Sequence, residues 1–472
     1  MKKFFTLMIV ICFIASFSPS AFAVGSGGFE NASFSAKQLS MSGAGTATPD
    51  EPAAISYNPA GITDVPGIQF QSNANFLSLF TFQHNDATGS STRSSGTLNF
   101  VPTAYFTINP GELLGNRVAF GVGTDSPFGL MNKYDSTSPI AHYTGWRNWI
   151  KMFTIKPVMV VKVTDWFSIG GGPMWYRVYD FGGIQGYPNN LITAPFGITT
   201  PDGQIRLNLS GQQWGWHMGA LLKIKEKHRL GFYFRSPVVV PVRGRAKVEN
   251  ANLPAVLGGP GAHNFETGVH SKLTLPMNMT WAYAFQPTER THYEIDFGYT
   301  RWGTHDRLFF SADPTGSAAD DAILNAIGQA DKDWNDSFSL HLGASHKFTK
   351  KLTGRCGTLF YWTPVPETSF SPAVPDSNRL SFSVGAGYKL SKHVTVDASY
   401  YTMFYFQRKI NNTVAENPAL LNSSVDGKYS SFMQAFTVSL TVKWDDVFSK
   451  KCGKKEPVKD TGPSIDINSP AQ

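Results

Sequence analysis

Strict alternation of apolar and polar residues recurs along the chain. From Val394 one parity reads Val394, Val396, Ala398, Tyr400, Thr402, Phe404, Phe406, and the other Thr395, Asp397, Ser399, Tyr401, Met403, Tyr405, Gln407. A period of two places these sets on opposite faces of a β-strand, one oily with aromatic ends and one polar. Phe436 to Trp444, Leu380 to Tyr388, and Leu273 through Met277, Met279, Trp281, Tyr283 to Phe285 repeat the pattern. Fourteen strands are predicted, near residues 67–82, 97–109, 117–126, 151–163, 165–180, 205–225, 228–249, 268–286, 289–302, 335–348, 350–363, 378–390, 393–407 and 430–445.

The connections alternate in length. Short ones include Thr164-Asp165, Thr349-Lys350 and Ser391-Lys392; long ones include 83–96, 127–150, 181–204, 250–267, 303–334, 364–377 and 408–429. Short turns on one side, long loops on the other and an even strand number are the signature of outer-membrane barrels. A soluble sandwich or propeller also alternates its strands, but it does not predict alternating loop lengths or aromatics at both ends of the oily face. The predicted fold is all-β, a fourteen-stranded antiparallel transmembrane β-barrel over residues 67–445. Only a closed sheet satisfies its backbone in lipid.

The ends of the chain read differently. Lys2 and Lys3, the apolar run Phe4 to Phe17 and Ala21-Phe22-Ala23 form a signal peptide over residues 1–23. Residues 24–66 are rich in Gly, Ala and Ser and lack strand-length alternation. A barrel of this size encloses a lumen wide enough for a plug, so this segment is expected to be a periplasmic-side hatch. Residues 446–472 form a polar tail, expected on the same side.

Composition supports the membrane and excludes other classes. The chain is 14% aromatic and 16% charged, against roughly 25% charged in soluble domains. The net charge of +7 falls to +5 once Lys2 and Lys3 leave with the signal, which is no nucleic-acid signature. Cys12 also leaves, and Cys356 and Cys452 show no metal spacing. No G-x-S-x-G, H-E-x-x-H or phosphate-loop motif is present. No catalytic residue, metal or cofactor is therefore expected. The enzyme alternative, an outer-membrane lipase, would need Ser and His on neighbouring strands at the lipid face.

Four stretches resemble the FadL-type family of long-chain fatty-acid and hydrocarbon outer-membrane transporters. They are Gly28-Phe29 with Ser35 to Gly45, Asp50 and Ala53 to Gly61; Ser126-Pro127-Phe128-Gly129-Leu130; Thr363-Pro364-Val365-Pro366 with Pro375 to Arg379; and Ser383 to Lys389. The resemblance implies a fourteen-stranded barrel with an N-terminal hatch ending in Asn-Pro-Ala. It further implies ligand capture on extracellular loops, a lumen site near the hatch N-terminus, and sideways exit at a kink in the third strand. Two departures stand out. A Lys- and Pro-containing tail follows the last strand, and the family's Gly-Arg-Tyr loop motif is only approximated by Gly145-Trp146-Arg147.

Candidate site residues follow. Asn58, Pro59 and Ala60 are the expected hatch turn, since Pro fixes φ and Asn bonds local backbone; the plain alternative is an ordinary loop. Pro127, Phe128, Gly129 and Leu130 are the expected third-strand kink, the alternative being that Pro127 simply ends the strand. Leu191, Phe196, Leu253 and Leu257 lie in oily loops that would hold an apolar ligand or pack on each other as a lid. Arg147, with Arg206 and Arg235, is a candidate to pair a carboxylate. Glu294 and Asp296 share the parity expected to face the lumen. The expected function is passive uptake of long-chain fatty acids by a monomer among outer-membrane lipids and lipopolysaccharide. The alternatives are uptake of aromatic or alkane hydrocarbons, and a closed structural or surface-interaction barrel.

Overall fold

The computed structural model describes residues 28–31, 35–85, 89–138, 140–187, 189, 201–253, 261–327, 329–411 and 425–444. The expected signal peptide (1–23), Leu191, Phe196, Leu257 and the expected tail (446–472) lie outside the described residues, as does the side chain of Leu253, whose backbone ends a strand.

Fourteen strands form one antiparallel closed sheet. They are β1 (Gly67–His84), β2 (Asn99–Asn109), β3 in two pieces (Val118–Asp125 and Leu130–Lys133), β4 (Arg147–Lys162), β5 (Phe167–Tyr187), β6 (Gly203–Ile224), β7 (His228–Arg235 and Val238–Leu253), β8 (Gly261–Leu275 and Asn278–Phe285), β9 (Thr291–Thr300), β10 (Ser337–Lys347), β11 (Leu352–Tyr361), β12 (Arg379–Lys389), β13 (Val394–Ile410) and β14 (Gly427–Trp444). The barrel closes where β14 pairs with β1, from Ile68 opposite Trp444 to His84 opposite Lys428.

The alternation has the expected sense. Phe382, Val384, Tyr388, Tyr400, Phe404 and Phe436 are exposed on the outer face, while Ser381, Ser383, Ser399, Thr437 and Ser439 are buried inside. The outward set of β13 from Val394 to Phe406 covers about 40 Å of strand, or about 30 Å along the barrel axis at the usual tilt, which matches a bilayer.

Several expectations need correction. The stretches 228–249 and 268–286 are not single strands. Each is interrupted, at Ser236-Pro237 and at Pro276-Met277. Arg235 faces His217 but Val242 faces Gly211, so β7 carries one extra residue relative to β6. One inserted residue swaps the two faces of a strand. Leu273 and Leu275 are therefore buried inward, whereas Trp281 and Tyr283 of the same parity are exposed outward. The strands also run further into the long-loop end than expected, so β7 and β8 reach Leu253 and Gly261. The predicted loop 303–334 contains a strand, Arg307–Ala312, that pairs with β8, and a helix, Ala318–Ile327.

Residues 28–31 and 35–66 lie inside the barrel. This stretch has too few large apolar residues for a core of its own, so it leans on the wall. Ile55, Tyr57, Ile62 and Val65 cluster with Tyr105, Val158 and Val160 of β2 and β4. Polar contacts tie it elsewhere. The Ser439 hydroxyl of β14 accepts from the Ala36 N–H (2.8 Å), Ser42 and Ser383 share a hydrogen bond (2.8 Å), and Asp64 pairs with Lys223 of β6 (2.6 Å).

Candidate functional site

The third strand stops at Asp125 and resumes at Leu130. Between them Ser126-Pro127-Phe128-Gly129 leave the wall and turn inward. Asp125 opposes Thr154 of β4 while Leu130 opposes Ile150, so the bend holds one residue more than the facing stretch of β4. The Ser126 hydroxyl fastens the bend by donating to the Met152 carbonyl (2.7 Å). Gly129 is not among the glycines with left-handed backbone. The kink thus arises from the extra residue and from Pro127, which has no N–H for a ladder.

A gap in the sheet follows. β2 pairs with β3 only from Ile108/Phe120 to Ala104/Thr124, although β2 continues to Asn99 along β1. Leu130–Lys133 pairs with β4 alone. The gap ends towards the loops where the Ser95 N–H donates to the Lys133 carbonyl (2.7 Å). Pro102, another residue without a donor, sits in β2 at this edge.

The N-terminal residues meet the bend from inside. Asn31 N–H donates to the Pro127 carbonyl (2.8 Å), Gly129 N–H to the Phe29 carbonyl (2.9 Å), and the Asn31 side-chain amide to the Ser126 carbonyl (3.0 Å). Glu30 and Phe128 form an isolated antiparallel bridge. Phe29 lies in an aromatic cluster with ring centroids at 4.8 Å from Trp302, 5.5 Å from His305, and 5.9 Å from both Phe128 and Trp334. Gly28 has a left-handed φ of +55°, and a Cβ there would lie 2.5 Å from the Trp334 ring, so only glycine fits beneath that indole. Burial pushes the His305 imidazole down to about 3, helped by the Lys332 ammonium. It is neutral at physiological pH.

Charged groups line the lumen behind this cluster. Arg235 donates to Glu30 (2.6 Å) and its guanidinium lies 4.5 Å from the Phe128 ring centroid. Asp125, the last residue before the bend, pairs with the fully buried Lys156 (2.5 Å) and hydrogen-bonds Ser56. A cavity of about 90 Å3 adjoins Glu30, Arg235, Tyr233, Asp296 and His341, with room for a few waters. Among the described residues, Arg235 Nε, the Tyr233 hydroxyl and both His217 ring nitrogens are buried without a hydrogen-bond partner.

The other predicted residues are dispersed. Asn58 caps a 3-10 helix, Pro59–Asp64, by accepting from the Ala60 N–H, and donates to the Thr46 carbonyl (2.7 Å) and, across to β6, the Ala220 carbonyl (3.0 Å). Gly219 of β6 makes room, since a Cβ would lie 2.1 Å from Asn58 Oδ1. Glu294 and Asp296 do face the lumen. Asp296 accepts from the Thr46 N–H (3.0 Å) and Glu294 from the Ala47 N–H (2.6 Å). Arg147 and Arg206 lie away from this site, stacked over Trp149 with guanidinium carbons 5.5 and 5.9 Å from its centroid. Arg235 alone of the three candidate arginines reaches the lumen site. Glu30, His305 and the Asp125–Lys156 pair carry no sequence signal. A weak hint lies in two tryptophans within a polar 34-residue stretch, 302–335, where solvent exposure would disfavour them.

Known proteins share this architecture. The long-chain fatty acid transport protein of Escherichia coli O6:H1 (strain CFT073) is 25% identical over 454 residues, covering 90% of this chain and 97% of its own. Outer membrane protein P1 of Haemophilus influenzae (strain Rd) is 23% identical over 439 residues, covering 82% and 89%. The crystal structure of a Pseudomonas aeruginosa FadL homologue matches the fold with a TM-score of 0.75 at 20% identity, over 89% of this chain and all of that one. The toluene transporter TodX of P. putida matches with a TM-score of 0.64 at 16% identity, over 89% and 99%. Residues 16–444 match the family described as outer membrane protein transport protein (OMPP1/FadL/TodX), and this chain belongs to that family.

Proposed function

We propose that this barrel is a passive outer-membrane channel for long-chain fatty acids, which leave sideways between β2 and β3. The observation that carries this reading is the unpaired wall beyond Ala104/Thr124, with the bend at 126–129 turned in to meet Phe29. Residues 28–66 act as a hatch on the short-turn, periplasmic side, anchored at Asn58-Pro59-Ala60. The long loops collect ligand, with Leu191, Phe196, Leu253 and Leu257 as the residues expected to hold it.

The lumen supports a fatty acid over a plain hydrocarbon. An apolar chain would replace Phe29 among Trp302, Trp334 and Phe128. A carboxylate would compete with Glu30 for Arg235, whose charge has only this acidic partner within ion-pair distance among the described residues. Guanidinium pairs either carboxylate in the same fork.

The test is uptake of labelled oleate by cells whose own transporter is deleted. Gly129→Trp fills the gap and should abolish most uptake while the barrel still shows heat-modifiable migration on gels. Normal uptake by a correctly assembled Gly129→Trp protein would remove the lateral exit. Arg235→Ala should weaken oleate uptake and spare toluene; equal loss of both would favour a hydrocarbon channel.

A further inference from the structure

The inserted residue in β7 has an outward consequence as well as an inward one. Past Ser236-Pro237 the residues that turn outward are Val239, Pro241, Arg243, Arg245 and Lys247, and all are exposed. Without that residue the three cations would point into the lumen. Lys272 of β8 is diagonal to Arg243, because Arg243 faces His270 and Pro241 faces Lys272. Arg206 of β6 faces Lys247 directly. Arg177 of β5 faces Gln212, which adjoins the same rows.

This cluster continues the lipid-facing wall. Ser210, opposite Arg243, lies four residues from Trp214 and six from Trp216, both exposed on the outer face. Arg177, opposite Gln212, therefore begins the cluster about 7 Å along the strand beyond this aromatic girdle, and Arg243 lies about 13 Å beyond it, the height expected of headgroups. Acidic neighbours satisfy only part of them. Glu266 pairs with Arg245 (2.8 Å) and Glu249 with Lys247 (2.5 Å). Among the described residues, Arg177, Arg206, Arg243 and Lys272 have no carboxylate within 4.0 Å. Like charges directly opposed on neighbouring strands repel, so an anion lying over the Arg206–Lys247 pair would relieve that repulsion.

We infer that this outward cluster on β5–β8 docks a bisphosphorylated membrane glycolipid, the lipid A portion of lipopolysaccharide. Guanidinium groups bind phosphate through paired donors. The cations span three inter-strand spacings, about 14 Å, which suits a headgroup with two separated phosphates better than a single phosphodiester. The inference rests on the proposed orientation, in which the long-loop end lies in the outer leaflet.

The experiment uses the full-length protein in neutral detergent, with bisphosphorylated lipid A, its monophosphorylated form and phosphatidylglycerol as probes. Wild type should bind the bisphosphorylated form most tightly. The triple variant Arg243→Ala/Arg245→Ala/Lys272→Ala should weaken that binding roughly tenfold or more, with heat-modifiability and oleate uptake unchanged. Unchanged affinity in the variant, or equal binding of phosphatidylglycerol by wild type, would overturn the site. Asn264→Cys, in a Cys356→Ser/Cys452→Ser background, tests orientation separately. Labelling by an impermeant maleimide on intact cells is expected, and its absence would overturn both orientation and lipid. Failure of oleate uptake in wild type would touch neither result.

Discussion

The wall from β12 through β14 to β1 and the wall from β2 to β8 belong to one sheet but are built differently. The first is a regular ladder. β12 pairs with β13 without interruption, β13 with β14 without a shift as far as Tyr405, and β14 with β1 along its length. Its outer face is apolar, and its inner face mixes small hydroxyls with the buried charges Arg379 and Asp397. The second is interrupted at β3, β5, β7 and β8. Its inner face carries the buried charges Asp125, Lys156 and Arg235. A closed ladder gives a barrel its stability because every backbone group is paired. The regular side supplies that, which leaves the other side free to hold a gap and a bend that an unbroken ladder would not contain.

The sharpest way to break this contrast is to make the second wall resemble the first. Deleting Gly129 removes the extra residue, and adding Pro127→Val restores the missing donor. This variant should let β3 run continuously along β4 and extend its pairing with β2. We expect oleate uptake to fall at least about tenfold, as a barrel without an edge offers no way out through its wall. Melting should rise or stay constant. Uptake near wild type in a folded variant would show that the gap is not the route.

Removing one side of the buried pair should have the next largest effect. Lys156→Met leaves Asp125 uncompensated, at a cost of about 3–5 kcal/mol. Hydrogen exchange at β3 and β4 should speed up while β12–β14 remains protected. Asp125→Leu/Lys156→Met should recover most of the loss, and no recovery would mean the damage is not electrostatic.

Phe29→Ala empties the aromatic cluster at a cost of about 3 kcal/mol or more. The expected readout is faster proteolysis near residue 30 with an unaltered barrel melt. Equal protection in variant and wild type would mean that Asn31 and Glu30 alone hold the N-terminal residues against the bend.

Acid should loosen the same contact. His305 titrates at about 3 when buried and at about 6.5 when free. The undocked state therefore takes up the proton first, and docking weakens as pH falls below about 6.5, by up to roughly 1.4 kcal/mol per unit. Proteolysis near residue 30 should accelerate between pH 6 and pH 4 in wild type and not in His305→Gln. Equal acid sensitivity in both would assign the effect to another group.

The smallest effect is expected at Asn58→Ala, which removes one cap and one bond to β6 at about 1 kcal/mol. The barrel melt should barely move, whereas oleate uptake or retention should change. If neither changes, Asn58-Pro59-Ala60 is only a turn.

The sequence was legible where one local rule governs. Strands β12 to β14 read directly from alternation, since a strand buried on one side and lipid-facing on the other must alternate. The order of short and long connections determined the strand count and the up-down topology. Pro127 and Gly129 marked the position of the kink, although the kink needs no special glycine conformation. At β7 and β8 the same rule misled, because Leu273 and Trp281 share a parity in the chain but not a face in the barrel. A one-residue insertion against a neighbouring strand cannot be seen within either strand alone.

Tertiary structure alone decided what meets at the bend. Phe29 and Trp302 are 273 positions apart, and Glu30 and Arg235 are 205 apart; no spacing rule reaches across such distances. Barrel closure and the interior position of residues 28–31 bring them together. The sequence by itself determined a β-barrel of fourteen strands, because hydrophobic alternation, alternating loop lengths and backbone satisfaction in lipid together favour a closed sheet. Which arginine enters the lumen, which cations face the lipid and where the wall opens were fixed by register between strands, a property of pairs of segments and not of any one of them.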